Sequence, residues 1–244
     1  MLPEVVAHRG ASADMAEHTL AAYELAIAQR ADGLECDVRL SRDGELVCVH
    51  DRTVDRTSDG HGVVSTMTMA ELNRLSWGDG KRGVLTLDTL LGLVKPGVRL
   101  FVETKHPVRY GGLVEAKLVA LLARHGLARP KDKDESPVVV MSFSARAVHR
   151  IRRIAPKLPT VILVGTKVTP RVGDYVGPGI ERLRADPDYV AKAGRPTYCW
   201  TVDDPADVQL CRDLGVRFVA TNKPAATSAI LRGTVPGTHS TEVM

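Results

Sequence analysis

Four short segments in the first 105 residues carry side chains that could do chemistry together. Each follows an apolar run that is typical of a β-strand. They supply carboxylates that suit a hard divalent cation, cations that suit phosphoryl oxygens, and two imidazoles for proton transfer. This inventory predicts a metal-assisted reaction on a phosphate ester. The segments are His8-Arg9-Gly10, Glu35-Cys36-Asp37, His50-Asp51 and Glu103-Thr104-Lys105.

The carboxylates of Glu35, Asp37 and Glu103 are candidate metal ligands. Carboxylates that meet at one layer of strand ends repel one another unless a cation neutralises them. Oxygen ligands favour Mg²⁺, Ca²⁺ or Mn²⁺ over Zn²⁺. We therefore predict one divalent cation, Mg²⁺ or Ca²⁺, with Mn²⁺ as a further option. The alternative is that these residues are surface carboxylates bonded to loop amides.

His8 and His50 each end an apolar run, and they are the candidate catalytic pair. Two histidines on opposite sides of a phosphodiester could act as general base and general acid. Arg9 offers a bidentate fork to phosphoryl oxygens, and Lys105 offers a point charge. Each of the four could instead be a structural or ion-pair residue. The remaining histidines, His18 among them, are assigned no role.

Two further residues are candidates for the substrate pocket. Glu17 precedes Thr19, which is a plausible N-cap for a helix over residues 20–29, so Glu17 either contacts substrate or stabilises that helix terminus. Trp200 ends another apolar run and either forms a wall of the pocket or belongs to the core.

Strand-like runs alternate with amphipathic helical patterns along the chain. The predicted strands cover residues 5–8, 34–38, 46–50, 100–104, 138–142, 161–164, 175–177, 198–202 and 218–221. Such alternation predicts an α/β fold with a parallel sheet, and eight parallel strands would close a (β/α)₈ TIM barrel. Active residues of such barrels lie at the carboxyl ends of the strands.

The link between residues 34–38 and 46–50 is too short for a helical crossover, and Asp43-Gly44 is a strong hairpin turn. These strands are therefore predicted to pair antiparallel, as a hairpin at strand 2 that leaves eight strands for the barrel. A two-residue loop would place Asp37 opposite His50, on the face that also carries Glu35. Residues 51–98 are interpreted as a small insertion after this hairpin.

Composition excludes several classes of protein. Hydrophobic residues make up 44% of the chain, charged residues 25%, and the net charge is +4, with Lys and Arg spread along the sequence. This predicts no nucleic-acid partner and suits a small anionic substrate. No run approaches the ~20 apolar residues of an integral membrane segment. The oligomeric state stays open.

The absence of a recognisable secretory leader predicts a cytoplasmic enzyme. The four cysteines lie in apolar runs without metal-like spacing, which predicts buried, reduced thiols. We expect one barrel domain over residues 1–232, with residues 233–244 as a disordered tail.

The ordered series of motifs resembles the glycerophosphodiester phosphodiesterases, and the resemblance covers residues 5–224. It implies a barrel of the phosphodiesterase type and hydrolysis of glycerophosphodiesters to sn-glycerol 3-phosphate and an alcohol. The motifs are Ala7-His8-Arg9-Gly10-Ala11-Ser12, Glu17-His18-Thr19-Leu20, Glu35-Cys36-Asp37-Val38, Val49-His50-Asp51, Asp55-Arg56-Thr57, Leu85-Thr86-Leu87-Asp88, Glu103-Thr104-Lys105 and Trp200-Thr201-Val202.

The resemblance also implies roles for the matching residues. The acid/base pair would be His8 and His50. The ligands of Mg²⁺ or Ca²⁺ would be Glu35, Asp37 and Glu103. The phosphate contacts would be Arg9 and Lys105. Two alternatives stay open, a lysophospholipase D acting on lysophospholipids and a binding module that kept the fold without activity.

The chain departs from the family pattern at three places. The family usually has Pro-Glu-Asn-Thr where this chain has Ala16-Glu17-His18-Thr19. It often has Asn at the position of Asp203, and Asp is common at the position of Asn222. No candidate metal ligand or acid/base residue is lost.

Overall fold

Strands and helices alternate along the chain in the computed structural model, which describes residues 2–165 and 171–233. The strands are β1 Glu4–His8, β2 Gly33–Leu40, β3 Leu46–Cys48, β4 Arg99–Thr104, β5 Val138–Ser142, β6 Thr160–Val164, β7 Tyr175–Pro178, β8 Tyr198–Cys199 and β9 Phe218–Thr221. The helices are α1 Leu20–Ala28, α2 Met69–Leu72, α3 Leu87–Leu91, α4 Leu113–Arg124, α5 Ala145–Ile154, α6 Ile180–Ala185, α7 Tyr189–Ala193, α8 Pro205–Asp213 and α9 Pro224–Arg232.

Eight parallel strands form the barrel, in the order β7-β6-β5-β4-β2-β1-β9-β8. Two isolated parallel bridges, Val176 with Thr197 and Gly179 with Trp200, join β7 to β8 and complete the circuit. The predicted (β/α)₈ barrel is therefore confirmed. Because the strands run parallel, their carboxyl ends meet at one rim, which is where barrel enzymes place their active residues.

The hairpin at β2 is confirmed as antiparallel, but its predicted register is wrong by one residue. Val38 pairs with Cys48, and the backbone N–H of Val49 donates to Asp37 O at 3.0 Å, so Asp37 lies opposite Val49. The turn has three residues rather than two, and Gly44 adopts a φ of +85° that a side chain would disfavour. The predicted strand over 46–50 ends at Cys48, and a bend in the chain therefore places His50.

Aromatic side chains fill the barrel interior. The ring of Phe101 lies 5.1 Å from that of Tyr198 and 5.0 Å from that of Phe218. A Cβ on Gly33 would lie 3.2 Å from the Phe101 ring, so glycine gives this ring its room. Because alternate residues of a strand share a face, Glu103 of β4 lies on the same face as Phe101, one step nearer the rim. The aromatic cluster thus forms the floor of the site.

Helices cover the outside of the barrel with aliphatic side chains such as Leu118 and Leu122 of α4, both fully buried. The four cysteines are buried and unpaired, as predicted. In the part of the chain that the structure describes, no helix is both long and apolar enough to cross a bilayer. The predicted tail lies outside the described residues except for Gly233.

The first part of the segment between β3 and β4 packs on the hairpin, whereas α3 at its end packs on the barrel wall. The apolar side chains Val54, Leu72, Trp77 and Val84 of the first part form a cluster with Val47 and Val49. Thr68 and Glu71 form a capping box at the start of α2. The segment thereby forms a wall beside His50, on one side of the rim.

Candidate active site

The rim brings the three predicted carboxylates together. Glu35, Asp37 and Glu103 are buried, with exposed fractions of 2%, 1% and 6%. One oxygen from each lies within 4.8 Å of the others. Glu35 and Asp37 come from alternate positions of β2, and Glu103 comes from the neighbouring strand β4, paired with Asp37 in the register. Strand alternation and adjacency are sufficient to build this cluster.

Two predicted cations contact the same carboxylates. Lys105 Nζ lies 3.2 Å from Asp37 Oδ1 and 3.0 Å from Glu103 Oε1. Arg9 Nε lies 3.1 Å from Asp37 Oδ2, and the Arg9 backbone N–H donates to Glu35 Oε2 at 3.0 Å. The three acids, the lysine and the arginine therefore form one buried polar group.

Two cations cannot neutralise three ionised carboxylates, so this group resists full ionisation unless a further cation binds. Burial and the charge of Asp37 raise the pKa of Glu35 well above its usual value, and they raise the pKa of Glu103 to about 8. Burial also disfavours the charged form of Asp37, but a hydrogen bond from His18 and the charges of Lys105 and Arg9 hold its pKa well below the usual range. Buried oxygen donors with surplus charge fit a hard divalent cation.

His8 has its ring orientation fixed by an amide. His8 Nδ1 lies 2.8 Å from Asn222 Oδ1, and Asn222 Nδ2 donates to Asp203 Oδ2 at 2.6 Å. Because the Asp203 carboxylate can only accept, the amide oxygen must face the imidazole, so Nδ1 carries the proton and Nε2 keeps its lone pair. Burial, followed by the charge of Arg9, lowers the pKa of His8 to about 4.

His50 has a carboxylate as its partner instead. His50 Nδ1 lies 2.7 Å from Asp51 Oδ1, and Asp51 in turn accepts from Arg56 Nε at 2.6 Å. The backbone carbonyl of His50 accepts two hydrogen bonds from the Arg39 guanidinium, at 3.1 and 2.8 Å. Burial lowers the pKa of His50. His8 pairs with Glu35 in the β1–β2 register, and His50 follows Val49, whose backbone N–H donates to Asp37 O, so both histidines leave the backbone next to the carboxylate group.

Glu17 links the two sides of the rim. It accepts from Arg9 Nη1 at 3.2 Å and from both terminal nitrogens of Arg56 at 2.7 and 2.8 Å. The pKa of Glu17 falls to about 2 because the Arg56 hydrogen bonds and the Arg9 charge outweigh its burial. Thr19, not Glu17, caps α1.

Trp200 lies at the rim and also packs against the interior cluster. Its indole N–H donates to Gly177 O at 2.8 Å, and its ring meets that of Phe143 edge-on at 5.3 Å. Lys105 Nζ lies 5.9 Å from the centre of the Phe143 ring. The tryptophan therefore belongs to both the core and the wall of the site, through Phe143.

Sequence reasoning missed the supporting residues. His18 was given no role, yet its Nε2 lies 3.0 Å from Asp37 Oδ2 and its Nδ1 lies 2.8 Å from the Tyr23 hydroxyl. The roles of Arg56, Asp203 and Asn222 were also missed, although Asp203 and Asn222 were noted as departures from the family pattern. Relative to the family pattern, this chain has Asp in place of Asn at position 203 and Asn in place of Asp at position 222. This paired exchange was the available signal that the two side chains are in contact.

A parallel barrel with buried acids, two imidazoles, an arginine and a lysine at its carboxyl rim defines a class, that of barrel enzymes acting on phosphate esters. The model of the glycerophosphoryl diester phosphodiesterase family matches residues 8–226. The chain belongs to this family and is therefore a phosphoric diester hydrolase.

Individual relatives agree with the family. A Mycobacterium tuberculosis protein named "Probable glycerophosphodiester phosphodiesterase 1" is 53% identical, over 94% of this chain and 92% of its own. A solved glycerophosphodiester phosphodiesterase from Parabacteroides distasonis is 27% identical, with a TM-score of 0.81 over 95% of this chain and 97% of its own. An Oleispira antarctica phosphodiesterase, solved with the product sn-glycerol-3-phosphate, is 24% identical, with a TM-score of 0.81 over 95% and 97%.

Proposed function

We propose that this enzyme hydrolyses glycerophosphodiesters to sn-glycerol 3-phosphate and an alcohol, with one divalent cation and two histidines. One observation supports this most strongly: two histidines, each bonded through Nδ1, leave the backbone next to a buried cluster of three carboxylates. The product bound to the Oleispira antarctica relative supports the substrate class. No observation favours lysophospholipids as the substrate.

The carboxylates of Glu35, Asp37 and Glu103 would hold Mg²⁺ or Ca²⁺, with Mn²⁺ as a further option. When bound, the cation would supply positive charge to the phosphoryl oxygens and lower the pKa of the attacking hydroxyl. Lys105 already bridges Asp37 and Glu103. Its ammonium, which stays charged, would turn from these carboxylates toward the phosphoryl group.

Arg9 and Lys105 would bind the non-bridging phosphoryl oxygens, since both reach the carboxylate group from the rim side. Glu17 would hold the Arg9 guanidinium in place by its 3.2 Å contact and fix Arg56 at the same time. Trp200, supported by Phe143, would form the apolar wall against the glycerol or the alcohol.

The two histidines have different partners, and this difference supports different roles for them. His8 is bonded to a neutral amide and stays a neutral imidazole, so its free Nε2 would take the proton of the glycerol hydroxyl as that oxygen attacks phosphorus. His50 is bonded to the Asp51 carboxylate, which favours the imidazolium against the effect of burial on its pKa, so it would give a proton to the oxygen of the leaving alcohol. Attack by the hydroxyl and departure of the alcohol would leave a cyclic phosphate of glycerol, which water would then open to sn-glycerol 3-phosphate.

The Asp203–Asn222 pair is expected to act as one unit that orients His8. Asn222→Asp alone would place a second carboxylate 2.6 Å from that of Asp203, so one of them would retain a proton and His8 would be displaced. The double variant Asp203→Asn/Asn222→Asp restores one amide and one carboxylate. A double-mutant cycle on kcat/KM should show about 1–3 kcal/mol of coupling, with activity recovered in the double variant.

Asp204→Asn is the matched control, because this neighbouring carboxylate caps α8 and does not touch Asn222. Combined with Asn222→Asp, it should recover nothing. Additive effects in the Asp203 and Asn222 cycle would show that the pair does not hold His8.

Release of sn-glycerol 3-phosphate tests the function directly. We expect release from glycerophosphocholine, glycerophosphoethanolamine and glycerophosphoglycerol with added metal, and much slower turnover of lysophosphatidylcholine. Inactivity on all three diesters would contradict the substrate class, and faster turnover of lysophosphatidylcholine would favour a lysophospholipase D. A cytoplasmic location and a single domain over residues 1–232 stay predictions.

A further inference from the structure

A basic cavity lies beside the His50 end of the site. It has a volume of about 550 Å³, and Arg39, Arg52 and Arg109 line it with no acidic residue among the lining side chains. The other lining residues are Leu40, Val63, Ser65, Thr66, Pro107, Val108 and Tyr110. The cavity therefore offers cations and hydroxyl groups on an otherwise apolar wall.

The cavity is built from chain segments that leave the catalytic residues. Arg39 holds the His50 backbone carbonyl by two hydrogen bonds, of 3.1 and 2.8 Å. Arg52 follows His50 by two residues, and Pro107 follows Lys105 by two residues. The cavity therefore adjoins the two chain segments that carry His50 and Lys105.

Arg39, Arg52 and Arg109 lack the carboxylate partners that other arginines near the rim have. Arg9 and Arg56 both form ion pairs with Glu17. In residues 2–165 and 171–233, no carboxylate lies within ion-pair distance of Arg39, Arg52 or Arg109. Burial lowers the pKa of Arg39, which means that this cation is held away from water. The nearby carboxylates act on Arg39 only from beyond ion-pair distance, so an anionic ligand in direct contact would stabilise this half-buried cation.

We propose that this cavity, defined by Arg39, Arg52 and Arg109, binds a second phosphate group carried by the alcohol part of the substrate. The inference rests on the proposed function, in which His50 protonates the leaving alcohol and therefore faces it. Guanidinium groups match phosphate oxygens in bidentate geometry. The preferred substrate class is then a glycerophosphodiester whose alcohol is itself phosphorylated or phosphodiester-linked, rather than one with a neutral alcohol.

Two substrates that differ only in this group provide the test. Glycerophosphoglycerol has a neutral alcohol, and bis(glycerophospho)glycerol has the same glycerol with a second phosphodiester. The wild-type enzyme should show a KM about fivefold to tenfold lower for the second substrate, with similar kcat, because the contact lies away from the reacting atoms. Added salt should reduce this advantage.

Arg52→Ala/Arg109→Ala should remove the advantage while leaving the KM for glycerophosphoglycerol unchanged, since both side chains are exposed and neither is placed in the catalytic group. Arg39 is left intact because it supports His50. The control Arg124→Ala/Arg153→Ala removes two exposed arginines from the last turns of α4 and α5, at the opposite end of the barrel. It should keep the advantage.

Equal KM values in the wild type, or an advantage that survives in Arg52→Ala/Arg109→Ala, would overturn the assignment of the cavity. Equal KM values in the wild type would overturn the assignment even if the double variant does not fold. Failure to hydrolyse glycerophosphoglycerol at all would instead contradict the proposed function, so the two failures are distinguishable.

Discussion

Replacement of His8 or His50 by alanine is expected to lower kcat/KM on glycerophosphocholine by about 10²–10⁴-fold, the contribution typical of a positioned acid or base. His8→Ala lacks the free Nε2 that takes the hydroxyl proton, and His50→Ala lacks the group that donates a proton to the leaving oxygen. Release of sn-glycerol 3-phosphate at saturating metal measures both effects. The thermal unfolding midpoint of each variant verifies that it is folded.

The choice of leaving group separates the two roles. In a glycerophosphodiester of p-nitrophenol, the leaving group is p-nitrophenolate, a stable anion that needs no proton. A general acid therefore adds little to the rate of its hydrolysis. His50→Ala should therefore lose far less activity on this substrate than on glycerophosphocholine. His8→Ala should lose about the same on both, because the attacking hydroxyl is unchanged. The reverse pattern would exchange the two assignments.

His149→Ala is the matched control for these variants. His149 is exposed on α5, outside the barrel, so its loss should leave kcat/KM unchanged on either substrate. If His8→Ala and His50→Ala both retained activity close to that of this control, the two-histidine mechanism would be wrong.

Removal of the divalent cation is expected to abolish activity and to lower stability. EDTA should stop release of sn-glycerol 3-phosphate, and Mg²⁺, Ca²⁺ or Mn²⁺ should restore it. A cation present at 100 times its Kd stabilises the fold by about 2.7 kcal/mol, which corresponds to a rise of roughly 5–10 °C in the unfolding midpoint. The unfolding midpoint therefore reports binding independently of turnover.

Asp37→Asn should lower the affinity for the cation, because it removes the charge of a ligand. The loss should exceed the roughly 100-fold that follows when a ligand loses only its supporting hydrogen-bond partner. Asp207→Asn is the matched control, since Asp207 is a buried carboxylate that pairs with Arg184 outside the site. The control should keep the metal-dependent rise in unfolding temperature. An unfolding midpoint of the wild type that no divalent cation changes would contradict the metal centre.

Cation affinity should also rise with pH. The raised pKa of Glu103, about 8 through burial and the charge of Asp37, means that this carboxyl binds a proton near neutral pH when the cation is absent. The cation must displace that proton, so affinity increases as pH rises toward 8 and falls below it. Titration calorimetry in buffers of different ionisation enthalpy would measure the proton released. An affinity independent of pH between 6 and 8 would exclude this competition.

Much of the acid cluster was predictable because it depends on local periodicity and on topology. Alternation along β2 puts Glu35 and Asp37 on one face, and parallel adjacency brings Glu103 beside Asp37. Lys105 follows Glu103 by the same alternation and contacts it at 3.0 Å. Apolar runs show where strands end, and strand ends in a parallel barrel meet at one rim.

The hairpin shows where local reasoning failed. Asp43-Gly44 predicted the turn but not its length, and a three-residue loop instead of two shifts the partner of Asp37 from His50 to Val49. Since side chains alternate, one residue reverses the face of every later position. The position of His50 thus depends on the bend after β3 and on its contact with Arg39. The Asp43-Gly44 turn pattern predicts neither of them.

The sequence by itself determined the fold class, the layer of acids and the two imidazoles, because each follows from patterns a few residues long repeated around a barrel. Only the tertiary structure decided how the imidazoles are held and what surrounds them. His8 and its partner Asn222 are 214 residues apart, and the cavity arginines come from three separate segments. Contacts of that separation depend on side-chain directions and loop paths, which no short-range pattern specifies.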